Sequence, residues 1–268
     1  MKLTQVKILS EIPEIIHFQT TRDGGVSLPP YDSLNLSYWT GDDPAAVWQN
    51  RQLLSQTVGI PLENFVIARQ MHGANVRIIR EEDRGSGVRF ENKEAIFDAD
   101  ALVTDLPDTL LCISTADCIP VLLYDPVKKV IAAVHAGWKG TAQHIALQTV
   151  ERMVHHYGCE REDIKAGIMA GAGVCCYEVD GTVAKALRRY AAPGGPDGSV
   201  LEQPDGKYKA DLKKINFIQL VNAGLRPEHI EIHPGCSICS PDIYFSYRNS
   251  NGINFGQSLA CIGKCRIF

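Results

Sequence analysis

The chain has 268 residues, 45% of them apolar and 22% charged, with a formal net charge of −4. That length buries a core without cross-links, and the mildly acidic balance argues against a nucleic-acid or anionic-membrane surface. No apolar stretch approaches the roughly 18 residues that would cross a bilayer. Lys7, Glu11 and Glu14 break the N-terminal apolar run, unlike a secretory leader, so a cytoplasmic protein is expected.

Residues 15–22 (IIHFQTTR) read as a strand, followed by turns at Gly24-Gly25 and Pro29-Pro30. Asp43-Pro44 combines an N-cap acid with a first-turn proline and predicts a helix to about Val58, stopped by Gly59. Arg51 lies in its middle and is expected on another face than Val47, Leu54 and Val58. FVIARQ, NVRIIR, LLCIST, IPVLLY and VIAAVHAG are short and rich in Val and Ile, hence strands, with the acidic DADALVTD among them. Ile145, Ala146, Val150, Met153 and Val154 predict a helix over 141–157, with Gly158 at its end. A short helix near 180–190 precedes a Pro/Gly-rich loop, APGGPDGSVLEQPDG, which is expected to be mobile. Asp211 caps a helix through Ala223, and IEIHPG and IYFSYR read as late strands. With no repeat and no domain break, one α+β domain over 1–268 with mixed sheets is expected.

Nine cysteines cannot all pair within one chain, and reduced thiols are the better reading. Three segments each carry one borderline or soft ligand to a turn: His72 in QMHGAN, Cys118 in TADCIP and His135 in AVHAGW. Two imidazoles and a thiolate suit an open zinc site with a free fourth position. The plain alternative is two hydrogen-bonded strand-end histidines and a buried thiol. A competing metal reading joins Cys236-x-x-Cys239 to Cys261-x-x-x-Cys265. Cys175 and Cys176 are adjacent, so on a strand their side chains would point to opposite faces.

The segments TRDGGVS, YDSLNL, VWQNR, RQMHGANV, STADCIPVLL, AVHAGWKGT, VCCYEV, KADLK and FSYR occur in that order. Together they resemble the YfiH/YlmD-type family, long labelled a laccase domain and described as zinc-dependent purine nucleoside phosphorylases. The resemblance implies one Zn²⁺ per chain on His72, Cys118 and His135, and a catalytic arginine at Arg51. It also implies a sandwich of mixed β-sheets flanked by helices. The implied partners are purine nucleosides (adenosine, inosine, guanosine and methylthioadenosine) and phosphate, with adenosine deamination alongside. IMAGAGVCCYEV departs from the family's IGPxIGPCCYEV, and Asn249-Ser250 replace basic residues after FSYR, which bears on substrate preference.

Phosphorolysis places an anion beside a ribose that gains positive charge. Arg51 is expected to grip phosphate with its planar fork, and Asp117 to carry a proton or orient a zinc-bound histidine. Lys139 is expected to draw anions to the mouth, and Asn35 and Gln70 to contact ribose or base. In AVHAGWKGT the strand carries His135 to the sheet rim, Gly137 lets the chain turn away, and Trp138 walls the pocket. A multicopper oxidase is excluded, because eight histidines include no His-x-His pair. The remaining rivals are a metal-free cysteine hydrolase using Cys118 with a histidine base, and a nucleoside-binding protein without turnover.

Overall fold

The computed structural model describes residues 1–190 and 198–264. A six-stranded sheet runs in the order Ile230–Ile232, Lys165–Ile168, Ile119–Asp125, Val130–Ala136, Ala101–Thr104, Val76–Ile78. A five-stranded sheet runs Leu3–Thr4, Ile15–Thr20, Ser258–Lys264, Leu110–Thr115, Phe65–Ile67. Both are mixed: Phe65–Ile67 runs parallel to Leu110–Thr115 and Val76–Ile78 parallel to Ala101–Thr104, beside antiparallel neighbours. A small third sheet joins Glu178–Val179, Tyr208–Ala210 and Val200–Glu202.

Alternate residues of a strand face opposite sides, and here both sides are covered. Leu111 and Ile113 of the five-stranded sheet meet Leu122, Tyr124, Ile131 and Ala133 of the other, closing a shared core. Leu110 and Cys112 point outward, beneath Leu34, Leu36 and Leu54. Across the molecule, Val121, Leu123, Ala132 and Val134 pack under Ile145, Val150, Met153 and Ile215 of the helices. Each buried Val, Leu, Ile or Met among them contributes about 1.5–3 kcal/mol. Burial on both faces explains why IPVLLY and VIAAV are unbroken apolar runs rather than alternating ones. The expected sandwich of mixed sheets flanked by helices is the observed fold.

Local signals placed the helices well. Pro44–Val58 starts at Asp43, whose carboxylate accepts from the Ala45 amide, and ends at Gly59 with φ 71°. Leu212–Asn222 starts at Asp211, which accepts from the Lys214 amide, and Gly181–Tyr190 forms where expected. The predicted 141–157 helix is in fact two, Trp138–Ala142 and Ile145–Tyr157, because His144 takes φ 59° and breaks the ladder between them.

Other expectations need correction. IYFSYR is a run of turns, since the Arg248 amide and Ser246 hydroxyl bind a carboxylate instead of a neighbouring strand. The first part of the Pro/Gly-rich loop, 192–197, lies outside the described residues, and its later part forms the strand Val200–Glu202. Ala101–Thr104 within DADALVTD, and Lys165–Ile168, are strands that the sequence did not announce. Among the described residues no helix is long and apolar enough to cross a membrane.

Candidate active site

His72, Cys118 and His135 converge. Val130–Ala136 carries His135 to its last turn-facing position, and Cys118 stands just before Ile119–Asp125, the strand paired with it. His72 lies in the turn after Phe65–Ile67, with φ 59°. The donor atoms of the three lie within 4.8 Å of one another, and the two rings meet edge to face at 4.8 Å. Bonds of about 2.0–2.3 Å place tetrahedral ligand atoms roughly 3.3–3.8 Å apart, so a small inward movement of these side chains would let a single ion bridge them. A Cβ at Gly137 would sit 2.9 Å from Cys118 Sγ, 3.4 Å from His72 and 3.7 Å from His135. Only glycine lets the chain turn away this close to all three donors.

One carboxylate organises the set. Asp100, fully buried, accepts from the amides of Met71 at 3.2 Å, His72 at 3.0 Å and Gly73 at 2.8 Å. Its Oδ1 also lies 2.8 Å from His135 Nδ1. Burial alone would raise the Asp100 pKa, but the bond to His135, its charge and the amides of Gly73 and Met71 lower it. An ionised Asp100 accepts, so Nδ1 of His135 carries the proton and Nε2 faces the other donors. Burial also opposes charge on Cys118, yet His135 and His72 pull its thiol down to about 6. Burial likewise works against a charged His135, and the Cys118 sulfur and Asp100 outweigh it to push the ring upward. A site that favours thiolate and orients imidazole in this way suits a borderline divalent cation.

These residues open into a cavity of about 570 Å³, also lined by Trp39, Gln70, Asp117, Trp138, Lys139 and Tyr247. Gln70 reaches it, but its amide is spent on the Ser114 backbone, with both bonds at 2.8 Å. Lys139 is exposed at the mouth. Asp117 lines the cavity with φ 85°. Its carboxylate accepts from Ser237 Oγ at 2.6 Å, Ser246 Oγ at 3.0 Å and the Arg248 amide at 2.7 Å. The orienting task expected of Asp117 therefore falls to Asp100, while Asp117 holds the segment that brings Tyr247 and Arg248 to the rim.

Two expected residues stand elsewhere. Arg51 is fully buried, and its guanidinium donates to the carbonyls of Leu36, Gly87 and Val88 at 2.5–2.9 Å over the Tyr38 ring. Burial lowers its pKa to about 10. With its fork committed to carbonyls, Arg51 has no face toward the cavity. Asn35, also fully buried, donates to Thr40 and Asp42 and lies outside the cavity. The adjacent Asn50 likewise binds the 26–35 loop. The cavity cations are instead Arg69, Lys139 and Arg248. Arg69 is paired with Glu94, and Arg248 stacks 4.9 Å above Tyr177. Among residues the sequence reading missed, Asp100 had a signal in the DAD triplet, whereas Trp39 and Ser114 had none.

The pairing of Cys236 and Cys239 with Cys261 and Cys265 fails. Cys261 is fully buried in a strand opposite Cys112, their sulfurs 3.4 Å apart, and Cys265 lies outside the described residues. Cys236 and Cys239 instead meet Cys175 and Cys176. Those two occupy a tight turn, with the Cys176 and Tyr177 amides donating to the Gly173 carbonyl, so their sulfurs are not sent to opposite faces.

Residues 16–265 match the model of a family described as multi-copper polyphenol oxidoreductase laccase. The crystal structure of YlmD from Geobacillus stearothermophilus superposes with a TM-score of 0.91 at 34% identity, over 95% of this chain and 93% of that one. The chain belongs to the laccase-like YfiH/YlmD family. Within that family, the purine nucleoside phosphorylase YlmD of Geobacillus stearothermophilus is 36% identical over 91% of this chain and 88% of its own length. The adenosine deaminase RL5 of an unknown prokaryotic organism is 32% identical over 98% of both chains. No multi-histidine cluster among the described residues answers to the copper in the family's description. Among the described residues the candidate metal groups are one His-Cys-His set and one set of four cysteines.

Proposed function

We propose that this protein is a zinc-dependent purine nucleoside phosphorylase. It would cleave adenosine, inosine, guanosine and methylthioadenosine with phosphate, and also deaminate adenosine. The observation that carries the reading is the meeting of His72, Cys118 and His135 at a cavity large enough for a nucleoside. The names of the relatives supply the substrate class. A zinc ion held by these three side chains would supply Lewis acidity and activation of water.

The chain's own residues account for the rest. Trp39, Trp138 and Tyr247 offer flat apolar walls for a purine. Trp39 Nε1 and Ser114 Oγ are buried without a hydrogen-bond partner among the described residues, and both residues line the cavity. Unpaired buried polar atoms are costly, and the hydroxyls and ring nitrogens of a nucleoside would satisfy them. Lys139 and Arg248 at the mouth would hold phosphate beside the ribose as positive charge develops there. Asp100 keeps the His135 ring in one tautomer throughout.

One geometric feature favours a second reading. Cys118, His135 and Asp100 also match the order nucleophile, base and orienting acid of a metal-free cysteine hydrolase. A second imidazole, His72, on the same sulfur favours the metal. Incubation of the protein with inosine, with and without phosphate, tests the choice. Hypoxanthine and ribose-1-phosphate should form only when phosphate is present. Free ribose formed at equal rates without phosphate would refute phosphorolysis.

A further inference from the structure

The four cysteines away from the cavity are arranged as a ligand set. Their sulfurs all lie within 4.8 Å of one another, with Cys239 at 3.2 Å from Cys175 and 3.0 Å from Cys176. We infer that Cys175, Cys176, Cys236 and Cys239 form a second metal site, binding one zinc ion as a tetrathiolate. Four thiolates at about 2.3 Å from one ion are the common closed, structural form of zinc. Four sulfurs this close enclose a single ion rather than a multinuclear cluster.

The backbone around the cluster is shaped for sulfur. The Gly173 amide points at Cys236 Sγ from 3.2 Å and the Cys239 amide from 3.5 Å, and N–H donors of this kind stabilise thiolate over thiol. Gly173 also makes room, since a Cβ there would meet Cys236 Cβ at 3.1 Å and Cys175 Sγ at 3.2 Å. On binding, each thiol releases its proton to solvent and its sulfur becomes a ligand, leaving a doubly negative centre. Two ammonium groups offset that charge. Lys213, only 6% exposed, donates to the His233 and Gly235 carbonyls at 2.8 and 2.6 Å, and Lys209 donates to the Cys175 carbonyl at 2.7 Å.

The ion would staple the 173–177 turn to the 236–239 turn, two segments far apart in sequence. Its reach extends to the cavity. Ser237, between the last two ligands, donates through its amide to Gly171 and through its hydroxyl to Asp117. The same Asp117 carboxylate anchors the Arg248 amide. The second ion thus fixes one wall of the first site without touching substrate.

Metal stoichiometry tests this independently of any activity. Protein purified in reductant is loaded with zinc, freed of excess and analysed by plasma mass spectrometry and zinc X-ray absorption. The decisive variant is His72→Ala/Cys118→Ser, which disables the His-Cys-His set and leaves all four cysteines intact. It should retain one zinc per chain with four sulfur neighbours at about 2.3 Å. Cys176→Ser/Cys239→Ser should lose that equivalent. A metal-free His72→Ala/Cys118→Ser protein, or one whose zinc has nitrogen neighbours, overturns the proposal. So does a disulfide among these cysteines that persists in reductant. Failure of the phosphorylase reading would leave the zinc count unchanged, so the two can be told apart.

Discussion

Replacing Asp100 by Asn probes the site with the least change in shape. Oδ1 of Asp100 accepts from the His72 amide and contacts His135 Nδ1, while Oδ2 accepts from Met71 and Gly73. Asn keeps one acceptor oxygen, so its NH₂ must face two donors whichever way the amide turns. Two buried donors lose their acceptor, each at a cost of about 1–3 kcal/mol. We therefore expect Asp100→Asn to lower stability by about 2–6 kcal/mol in urea unfolding of the metal-free protein. Loosening the carboxylate that orients a ligating histidine should also weaken zinc binding about 10–100-fold. That equals roughly 1.4–2.8 kcal/mol, readable by competition with a chromogenic chelator. A folded variant with zinc affinity within a factor of two of the wild type would refute the role given to Asp100.

Arg51→Met should destabilise the protein by about 3 kcal/mol or more, because three buried carbonyls lose their donors. Zinc per folded chain should not change, and loss of activity with unchanged stability would return Arg51 to the reaction. Lys139→Ala and Arg248→Ala should each raise KM for phosphate about tenfold, as expected for loss of one charge-assisted contact of roughly 1.5 kcal/mol. Unchanged phosphate saturation in both would place the anion elsewhere. His17 is buried, and burial lowers its pKa from 6.5 to about 4. The unfolded chain then binds a proton that the folded one refuses, so its contribution is present above pH 6.5 and is lost as pH falls to about 4. The loss should be about 2–3 kcal/mol, and His17→Gln, which keeps an acceptor for the Val6 amide, should flatten that slope. Identical acid titrations of stability in both proteins would contradict it.

What the sequence disclosed depended on the range of the signal. Asp43, Pro44, Gly59 and Asp211 are local cues, and the helices they mark form as read. Doubly buried strands announced themselves by unbroken apolar runs. His144 defeated the 141–157 helix, because a left-handed histidine leaves no mark in hydrophobic spacing. In the site, types alone left the His72, Cys118 and His135 set open, and the resemblance selected it. Polar partnership was harder to read. Arg51 in mid-helix looks the same in sequence whether it faces phosphate or three carbonyls, and only the fold of the 36 and 87–88 loops decides. Asp100 and Asp117 are both acids near the ligands, and their tasks depend on which amides and hydroxyls reach them. The four-cysteine set was hidden because a turn at Gly173, not a strand, carries Cys175 and Cys176.

The proposed function requires a metal ion on His72, Cys118 and His135. Chelated protein, and the same protein after zinc is restored, can be given inosine and phosphate while hypoxanthine is followed by absorbance. Turnover should vanish on chelation and return with zinc, but should not return in Cys118→Ser. Full activity in the chelated, zinc-free protein would contradict the account.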